Sequence, residues 1–286
     1  MPFCGELNSA VDTKLMPELA KIRHVVLDMD GTIYLDRKLF STTLPFLALL
    51  ERLGIGFTFV TNNCSRSRAE YVEHLGRMGI EVDIEAVCTS AQATVHYLKR
   101  ERPGVKRLFV LGTSGLNEDL RQGGYEIVDG RPEAVVVGFD TELTYARLAR
   151  TAWWIAQQLP YIATHPDRVC PTNEPLVLPD CGAICALLET ATGRRPDAIP
   201  GKPSPAMLQA IIDKHDLRPA ETALVGDRLY TDIRMGRDAG ALAVLTLTGE
   251  ATAADADAAP PGERPHLVVA DLDELGRRIE ESRDAR

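Results

Sequence analysis

Short apolar runs alternate with amphipathic stretches along most of this chain. The runs typical of buried strands are His24–Leu27, Gly56–Val60, Arg107–Leu111, Ala134–Val137, Tyr161–Ala163, Ala223–Val225, Ala243–Leu247 and His266–Val269. Helical spacing of apolar residues predicts helices at about 44–53, 67–78, 91–100, 144–158, 182–192 and 204–214, from Thr231 onward, and after the last strand. Strands that alternate with helices predict an α/β fold with a largely parallel sheet. The Ala-, Asp-, Pro- and Gly-rich residues 250–265 are predicted to form a surface loop.

Three of the predicted strands end in polar residues. The first runs into Asp28 and Asp30, the second into Thr61, Asn62 and Asn63, and a later one into Gly226 and Asp227. Ligands of open parallel sheets bind outside the carboxyl ends of the strands. The three strand ends are therefore predicted to contribute to one site.

The Asp-Met-Asp-Gly-Thr segment that begins at Asp28 carries the first candidate chemistry. Two carboxylates as close as Asp28 and Asp30 repel each other unless a cation or a shared proton lies between them. Mg²⁺ prefers a few carboxylates together with water and phosphate oxygens, and Asp227 could supply a further carboxylate. Taken alone, the segment is also compatible with an ordinary solvated turn.

Lys202, within Gly201-Lys202-Pro203, precedes a predicted helix and could oppose the charge of a phosphoryl group. Thr61 and Asn62 offer hydroxyl, amide and backbone donors that suit phosphate oxygens. Each feature alone fits a surface lysine or a simple turn. Their occurrence in one chain, together with the aspartates, favours a site that binds phosphate and a metal ion.

Composition excludes several other classes of protein. The 286 residues are 45% hydrophobic and 26% charged, with a net charge of −9 and no block of Lys or Arg, which argues against broad capture of nucleic acid. The six cysteines form no CxxC pair, and we interpret them as buried or incidental thiols in a reducing compartment. No signal peptide pattern and no apolar run of about 20 residues is present, so we expect a cytoplasmic protein that does not enter membranes.

The motif set resembles the haloacid dehalogenase-like (HAD) superfamily of phosphohydrolases. The matching motifs are Asp28-Met29-Asp30-Gly31-Thr32, Thr61, Lys202 and Gly226-Asp227-Arg228-Leu229-Tyr230-Thr231-Asp232. The Thr-Asn-Asn and Gly-Asp-Arg-Leu-x-Thr-Asp forms are similar to those of the NagD/4-nitrophenylphosphatase branch (subfamily IIA, with a C2-type cap). The likeness extends from about Arg23 to Leu275.

The resemblance implies a Rossmann-like core with a parallel sheet and an inserted α/β cap domain. The core would comprise residues 1–85 and 195–286, and the cap residues 86–194, since the stretch between Asn63 and Lys202 is longer than the core motifs need. Members of the family often pair through their caps, so a homodimer formed in this way is expected.

The resemblance also implies roles for the aspartates. Asp28 would attack phosphorus and become a phosphoaspartate, and Asp30 would act as general acid and then as general base. Mg²⁺ would be held by the Asp28 carboxylate, the Asp30 carbonyl oxygen and Asp227, with Asp232 bracing the site.

Further residues are implied to bind the phosphate or the substrate. Thr61, with the Asn62 backbone and the adjacent Asn63, would hold phosphoryl oxygens, and Lys202 would neutralise their charge. In the cap, residues 170–175 and the segment containing Asp180, Cys181 and Gly182 form the candidate specificity surface; ordinary domain packing is the alternative. The branch commonly has Asn where His165 stands and a small residue where Asp180 stands.

The sequence therefore predicts a Mg²⁺-dependent phosphohydrolase of small phosphorylated metabolites, such as sugar phosphates or nucleoside monophosphates. Two alternatives remain open: phosphoryl transfer to an acceptor other than water, as in a mutase, and a non-catalytic sensor of a phosphorylated ligand. The sensor is disfavoured because Asp28, Asp30 and Lys202 are all present.

Overall fold

The computed structural model describes residues 15–35, 38–170 and 176–284. Contacts divide this part of the chain into two compact units. Unit 1 comprises the described residues up to Phe59 and from Ile212 onward, and unit 2 comprises Val60–Ile211. The core and cap boundaries drawn from the sequence, at 85/86 and 194/195, stay a prediction.

Strands and helices alternate through most of the described chain. The strands are β1 (His24–Asp28), β2 (Tyr34–Leu35), β3 (Lys38–Leu39), β4 (Gly56–Thr61), β5 (Val87–Thr89), β6 (Arg107–Leu111), β7 (Glu126–Ile127), β8 (Ala134–Val137), β9 (Tyr161–Ala163), β10 (Val169–Cys170), β11 (Leu178–Pro179), β12 (Thr222–Gly226), β13 (Leu242–Thr246) and β14 (Leu267–Val269). The α-helices are Thr43–Arg52, Arg68–Arg77, Ser90–Glu101, Ser114–Gln122, Tyr145–Ala156, Cys181–Thr192, Pro205–Lys214, Arg234–Asp238, Ala253–Ala258 and Leu272–Asp284. This order confirms the predicted α/β class.

Unit 1 contains four parallel strands of a larger sheet, in the order β14-β13-β12-β1. All residues of β1, β12 and β13 are buried, which explains why their sequences are nearly continuous apolar runs. The register places Leu27 opposite Val225. Asp28 and Gly226, the next residue of each strand, therefore lie at the same edge of the sheet.

Unit 2 contains a second parallel sheet, in the order β7-β6-β8-β9. Alternate residues of its strands enter two separate hydrophobic clusters: Leu108 and Val110 belong to one, and Phe109 and Leu111 to the other. Helices cover both faces, which is the arrangement typical of parallel sheets. Helix Cys181–Thr192 packs in the cluster of Phe109.

The segment 250–265 differs from the prediction. It contains helix Ala253–Ala258, whose start is fixed by a capping box in which Thr252 and Asp255 each accept the other's backbone N–H. The Ala- and Asp-rich composition concealed this signal. The antiparallel pairs β2–β3 and β10–β11 were also not predicted, because strands of two residues leave no periodicity to detect.

None of the helices in the described residues combines the length and the apolar character needed to cross a bilayer.

Candidate active site

Three buried carboxylates converge at the edge of the sheet in unit 1. Ligand atoms of Asp28, Asp227 and Asp232 all lie within 4.8 Å of one another. Asp28 ends β1, and Asp227 follows the neighbouring parallel strand β12. Asp232 comes from the π-helical turn Leu229–Ile233 that follows β12. The strand ends thus bring Asp28 and Asp227 together, and the turn adds Asp232.

The loop after β1 is shaped to pass close to Asp227. The backbone N–H groups of Thr32 and Ile33 both donate to the Met29 carbonyl oxygen, at 3.2 and 3.0 Å, which makes a tight turn. Gly31 adopts φ +83°, and a Cβ there would lie 2.3 Å from Asp227 Oδ2. The turn therefore requires glycine for both its conformation and its space.

Asp30 differs from Asp28 in its surroundings. The Asp28 side chain is buried and lies 3.5 Å from the Thr32 hydroxyl, whereas Asp30 is exposed and lies 3.5 Å from the Tyr34 hydroxyl. The exposed position suits a group that exchanges protons. The predicted use of the Asp30 carbonyl oxygen as a metal ligand stays a prediction.

The segment Thr248-Gly249-Glu250, which sequence reasoning missed, wraps Asp227. The Glu250 N–H donates to Asp227 Oδ2 at 2.8 Å, and a Cβ on Gly249 would lie 2.0 Å from the same oxygen. The Thr248 hydroxyl donates to the Gly31 carbonyl oxygen at 2.6 Å. The sequence could indicate only the place of this segment, which follows the end of β13 as Asp227 follows the end of β12; its contact with Asp227 is made by a backbone N–H and leaves no side-chain signal.

Asp232 is held by the turn that carries it. Its Oδ2 accepts from the Arg228 N–H at 3.3 Å and from the Thr231 hydroxyl at 3.2 Å. The sequence prediction gave Asp232 only a bracing role. Its ligand atom lies in the same group as those of Asp28 and Asp227.

Arg228 offsets part of the negative charge at this edge. Burial alone lowers the pKa of Arg228, but the Asp227 and Asp28 carboxylates raise it above its ordinary value. The guanidinium is shared with Glu250, 2.9 Å away. One cation shared in this way does not balance three clustered carboxylates. A bound divalent cation would relieve their repulsion.

The donor set of the cluster fits Mg²⁺. Hard cations of this kind take oxygen ligands, and one or two carboxylates with water and phosphate oxygens are the usual protein contribution. Asp28 and Asp227 supply such oxygens from rigid strand ends. The residues present therefore fit the predicted metal.

In unit 2, the Asn62 side chain forms two hydrogen bonds with the backbone of Lys202. Asn62 Nδ2 donates to the Lys202 carbonyl oxygen at 2.9 Å, and Asn62 Oδ1 accepts from the Lys202 N–H at 2.8 Å. Both residues are about 95% buried. We call this pair of bonds the Asn62–Lys202 clamp. Asn62 Nδ2 also donates to Asp167 Oδ2 at 3.1 Å.

Thr61 and Asn63 shape the loop that carries Asn62. The Asn63 N–H donates to the Thr61 hydroxyl at 3.1 Å. Asn63 Oδ1 accepts from the backbone and the hydroxyl of Ser65, at 2.9 and 2.7 Å. The Asn63 carboxamide oxygen is thus used within the loop, whereas Asn62 reaches a distant segment.

The predicted specificity residues lie at the start of helix Cys181–Thr192. Asp180 is its N-cap, and its Oδ1 accepts from the Cys181 N–H at 2.5 Å and lies 2.9 Å from His165 Nε2. Asp180 and Cys181 are buried within unit 2. A Cβ on Gly182 would lie 2.2 Å from the Pro166 carbonyl oxygen, so glycine is required there by close packing. The other part of the predicted surface, residues 171–175, lies outside the described residues.

Comparison with known proteins gives a consistent picture. A family model described as haloacid dehalogenase-like hydrolase matches residues 25–126, and a HAD-hydrolase-like model matches residues 199–275. Ribonucleotide monophosphatase NagD of Escherichia coli is 32% identical over 254 residues, which are 89% of this chain and 98% of that protein.

Solved structures agree. A 4-nitrophenylphosphatase from Thermotoga maritima superimposes with a TM-score of 0.86 and 42% identity, over 91% of this chain and 98% of the other. A glycerol phosphate phosphatase from Mycobacterium tuberculosis, solved in complex with magnesium, superimposes with a TM-score of 0.84 and 33% identity, over 91% of this chain and 78% of the other.

Proposed function

This chain belongs to the haloacid dehalogenase-like hydrolases, in the branch of NagD and the 4-nitrophenylphosphatases, and from that membership we propose that it is a Mg²⁺-dependent phosphatase of small phosphorylated metabolites. The observation that carries the proposal is the buried group of Asp28, Asp227 and Asp232, whose ligand atoms lie within 4.8 Å of one another. Oxygen ligands in such a group suit Mg²⁺ and, with it, a phosphate ester.

We assign the chemical steps to two aspartates. A carboxylate oxygen of Asp28 attacks phosphorus while the ester P–O bond breaks, and the electron pair leaves with the ester oxygen. Asp30 gives that oxygen its proton. Water then attacks the phosphoaspartate and gives a proton to Asp30, the bond between phosphorus and Asp28 breaks, and orthophosphate leaves.

The remaining residues bind and orient. Mg²⁺, held by Asp28, Asp227 and the Asp30 carbonyl oxygen, would supply charge neutralisation to the phosphoryl group. Asp232 keeps this arrangement rigid through its bonds to the turn. Thr61 and the Asn62 backbone bind phosphoryl oxygens, and Lys202 adds a compact positive charge. Preorganised charges of this kind account for most of the catalysis of phosphoryl transfer.

The substrate class follows from the relatives and stays a proposal. The names of two relatives point to ribonucleotide monophosphates and to glycerol phosphate. We therefore propose nucleoside monophosphates and polyol phosphates as substrates, together with the sugar phosphates expected from the sequence. A cytoplasmic location, from the cysteine usage, and a homodimer formed through the cap remain predictions.

The test is hydrolysis of a panel of phosphorylated metabolites and of p-nitrophenyl phosphate, with Mg²⁺ and with EDTA. We expect turnover that requires Mg²⁺ and that is lost in Asp28→Asn while the circular dichroism spectrum is unchanged. Normal turnover in that variant would refute the nucleophile. Transfer of phosphate to an added alcohol in preference to water would instead indicate a phosphotransferase, and tight ligand binding without any turnover would indicate a sensor.

A further inference from the structure

A buried histidine–aspartate pair in unit 2 has no part in the steps assigned above. His165 Nε2 lies 2.9 Å from Asp180 Oδ1, and the two side chains are 0% and 5% exposed. Burying two ionisable side chains generally costs more free energy than burying an equally well packed apolar pair, so such a pair is weak evidence for stability alone. Its surroundings show a more specific use.

The hydrogen bond between the two side chains fixes the orientation of the His165 ring. The Asp180 carboxylate offers only acceptors, so Nε2 carries a hydrogen and donates it to Asp180. Nδ1 lies 2.8 Å from the Thr164 hydroxyl. Burial lowers the pKa of His165, and the hydrogen bond to Asp180 acts against this effect and raises it.

One side of the pair leads to the Asn62–Lys202 clamp. The Ser90 hydroxyl donates to the Asn62 carbonyl oxygen at 2.6 Å and lies 3.4 Å from His165 Nδ1. The Gly201 N–H donates to the Thr164 carbonyl oxygen at 2.9 Å. A Cβ on Gly201 would lie 3.0 Å from the His165 Cβ. His165 thus contacts the backbone that precedes Lys202 and the hydroxyl that holds Asn62.

The other side leads to the same clamp through the helix start. Asp180 caps helix Cys181–Thr192, and the Gly182 N–H donates to the Asp167 carbonyl oxygen at 2.7 Å. The Asp167 carboxylate accepts from Asn62 Nδ2 at 3.1 Å. The two paths close a ring of contacts around His165, all of them within unit 2.

We infer that the His165–Asp180 pair is a positioning element that fixes the Asn62–Lys202 clamp and so sets the place of the Lys202 ammonium group. The inference deepens the proposed function and rests on it, because Lys202 is assigned there to the phosphoryl group. Errors of about 1 Å in the placement of a catalytic group can cost roughly a hundredfold in rate. A pair that holds the backbone of Lys202 therefore controls kcat without touching the substrate.

A metal site is the competing use of these residues. Ligand atoms of His165, Asp167 and Asp180 also lie within 4.8 Å of one another. Nε2 carries the hydrogen that it donates to Asp180, and a nitrogen that carries a hydrogen has no lone pair for a metal. The positioning role fits the observed bonds, and a metal would have to break them.

The test compares Asp180→Asn and His165→Gln with wild type, using p-nitrophenyl phosphate and Mg²⁺ well below the melting temperature. Asp180→Asn keeps a capping oxygen and removes only the charge. We expect kcat to fall about tenfold to a hundredfold in both variants. We expect KM to change less than about threefold, and inhibition by vanadate, a transition-state mimic, to weaken about tenfold.

Two controls separate positioning from general stability. Asp140→Asn weakens an ion pair of unit 2 between the buried Asp140 and the half-buried Arg147, 2.9 Å apart. It should lower the melting temperature while kcat and vanadate inhibition stay as in wild type. In an Asn62→Ala background, where the clamp is already open, Asp180→Asn should reduce kcat by less than about twofold more.

Each outcome decides the inference. Folded Asp180→Asn and His165→Gln proteins with kcat and vanadate inhibition within about twofold of wild type would overturn it. The inference would also be overturned if Asp180→Asn lowered kcat by the same factor in the Asn62→Ala background as in the wild-type protein. If one variant does not fold, the other still decides. If the wild-type protein shows no Mg²⁺-dependent hydrolysis, the proposed function itself is refuted. This failure is distinguishable from failure of the positioning inference, because it is seen in the wild-type protein and the latter only in the variants.

Discussion

The side-chain amide of Asn62 satisfies both backbone groups of Lys202, a residue 140 positions further along the chain. The carbonyl oxygen of Lys202 accepts from Nδ2 and its N–H donates to Oδ1. The side-chain amide thus pairs with Lys202 as a neighbouring backbone would. This needs a side chain that is donor and acceptor at once. Asn62 is thus specified by its chemistry more strictly than a loop position normally is.

Asn62→Asp should therefore be far more damaging than its size suggests. The new carboxylate can accept from the Lys202 N–H, but it faces the Lys202 carbonyl oxygen and the Asp167 carboxylate with acceptors only. We expect a loss of about 1–3 kcal/mol in the free energy of unfolding, measured by urea denaturation, and at least a tenfold loss in kcat.

Asn63→Asp is the matched control for this substitution. The Asn63 oxygen accepts from Ser65, and a carboxylate keeps that role. We expect a change in unfolding free energy below about 0.5 kcal/mol. Equal losses of unfolding free energy in Asn62→Asp and Asn63→Asp would show that the added negative charge, and not loss of the clamp, destabilises the protein.

Asp227→Asn should separate stability from metal binding. Three carboxylates within 4.8 Å repel one another when no cation is bound, so removal of one charge should leave the metal-free protein as stable as wild type or more stable. The affinity for Mg²⁺, measured by titration calorimetry, should fall at least tenfold. Asp273→Asn, on the surface of helix Leu272–Asp284, should change neither quantity. Unaltered Mg²⁺ affinity in Asp227→Asn would remove Asp227 from the proposed ligands.

The strand ends that carry Asp28 and Asp227 could be predicted from the sequence. Strands buried on both faces of a parallel sheet consist of apolar residues, so the first polar residue marks where each strand ends. The adjacency of Glu250 and Asp227 could not be predicted. It depends on a backbone N–H, which every residue but proline offers, so the side chains near position 250 gave no chemical signal.

The His165–Asp180 pair illustrates a second limit. Both residues depart from the pattern of the related branch, but a lone acid and a lone histidine in a sequence do not reveal whether they face solvent or each other. Their bond depends on how β9, the loop after it and helix Cys181–Thr192 pack. The sequence therefore identified the positions, and the structure supplied their relationship.

Gly249→Ala should disrupt the carboxylate cluster although it substitutes none of the three aspartates. The added methyl group would lie 2.0 Å from Asp227 Oδ2, so either the Thr248–Glu250 segment or Asp227 must shift. We expect kcat to fall at least tenfold, and the Mg²⁺-induced rise in melting temperature to shrink. Gly262→Ala is the control, since its methyl group would meet nothing within 4 Å. Full activity in Gly249→Ala would show that the wrap around Asp227 tolerates displacement.

His24 should make unit 1 sensitive to acid. Its Nε2 lies 2.9 Å from the Thr58 hydroxyl and its ring 4.4 Å from that of His215. Burial first, then the charges of His215 and Lys214, lowers the pKa of His24 to about 4, against about 6.5 in an unfolded chain. Between these values the unfolded chain binds more protons than the folded one, so stability falls as the pH drops from 6.5 towards 4 and levels off below. The full loss is of the order of 3 kcal/mol.

His24→Gln isolates this contribution, because glutamine can keep a hydrogen bond to Thr58 and does not titrate. Other groups, such as His266, whose pKa burial also lowers, act equally in both proteins and cancel in the comparison. Urea unfolding at pH 7.5 and at pH 4.5 should therefore show a smaller loss of stability for His24→Gln than for wild type, by roughly 2 kcal/mol. Parallel curves for the two proteins would mean that His24 is protonated in the folded state as easily as in the unfolded one, and its burial would then not be the source of acid sensitivity.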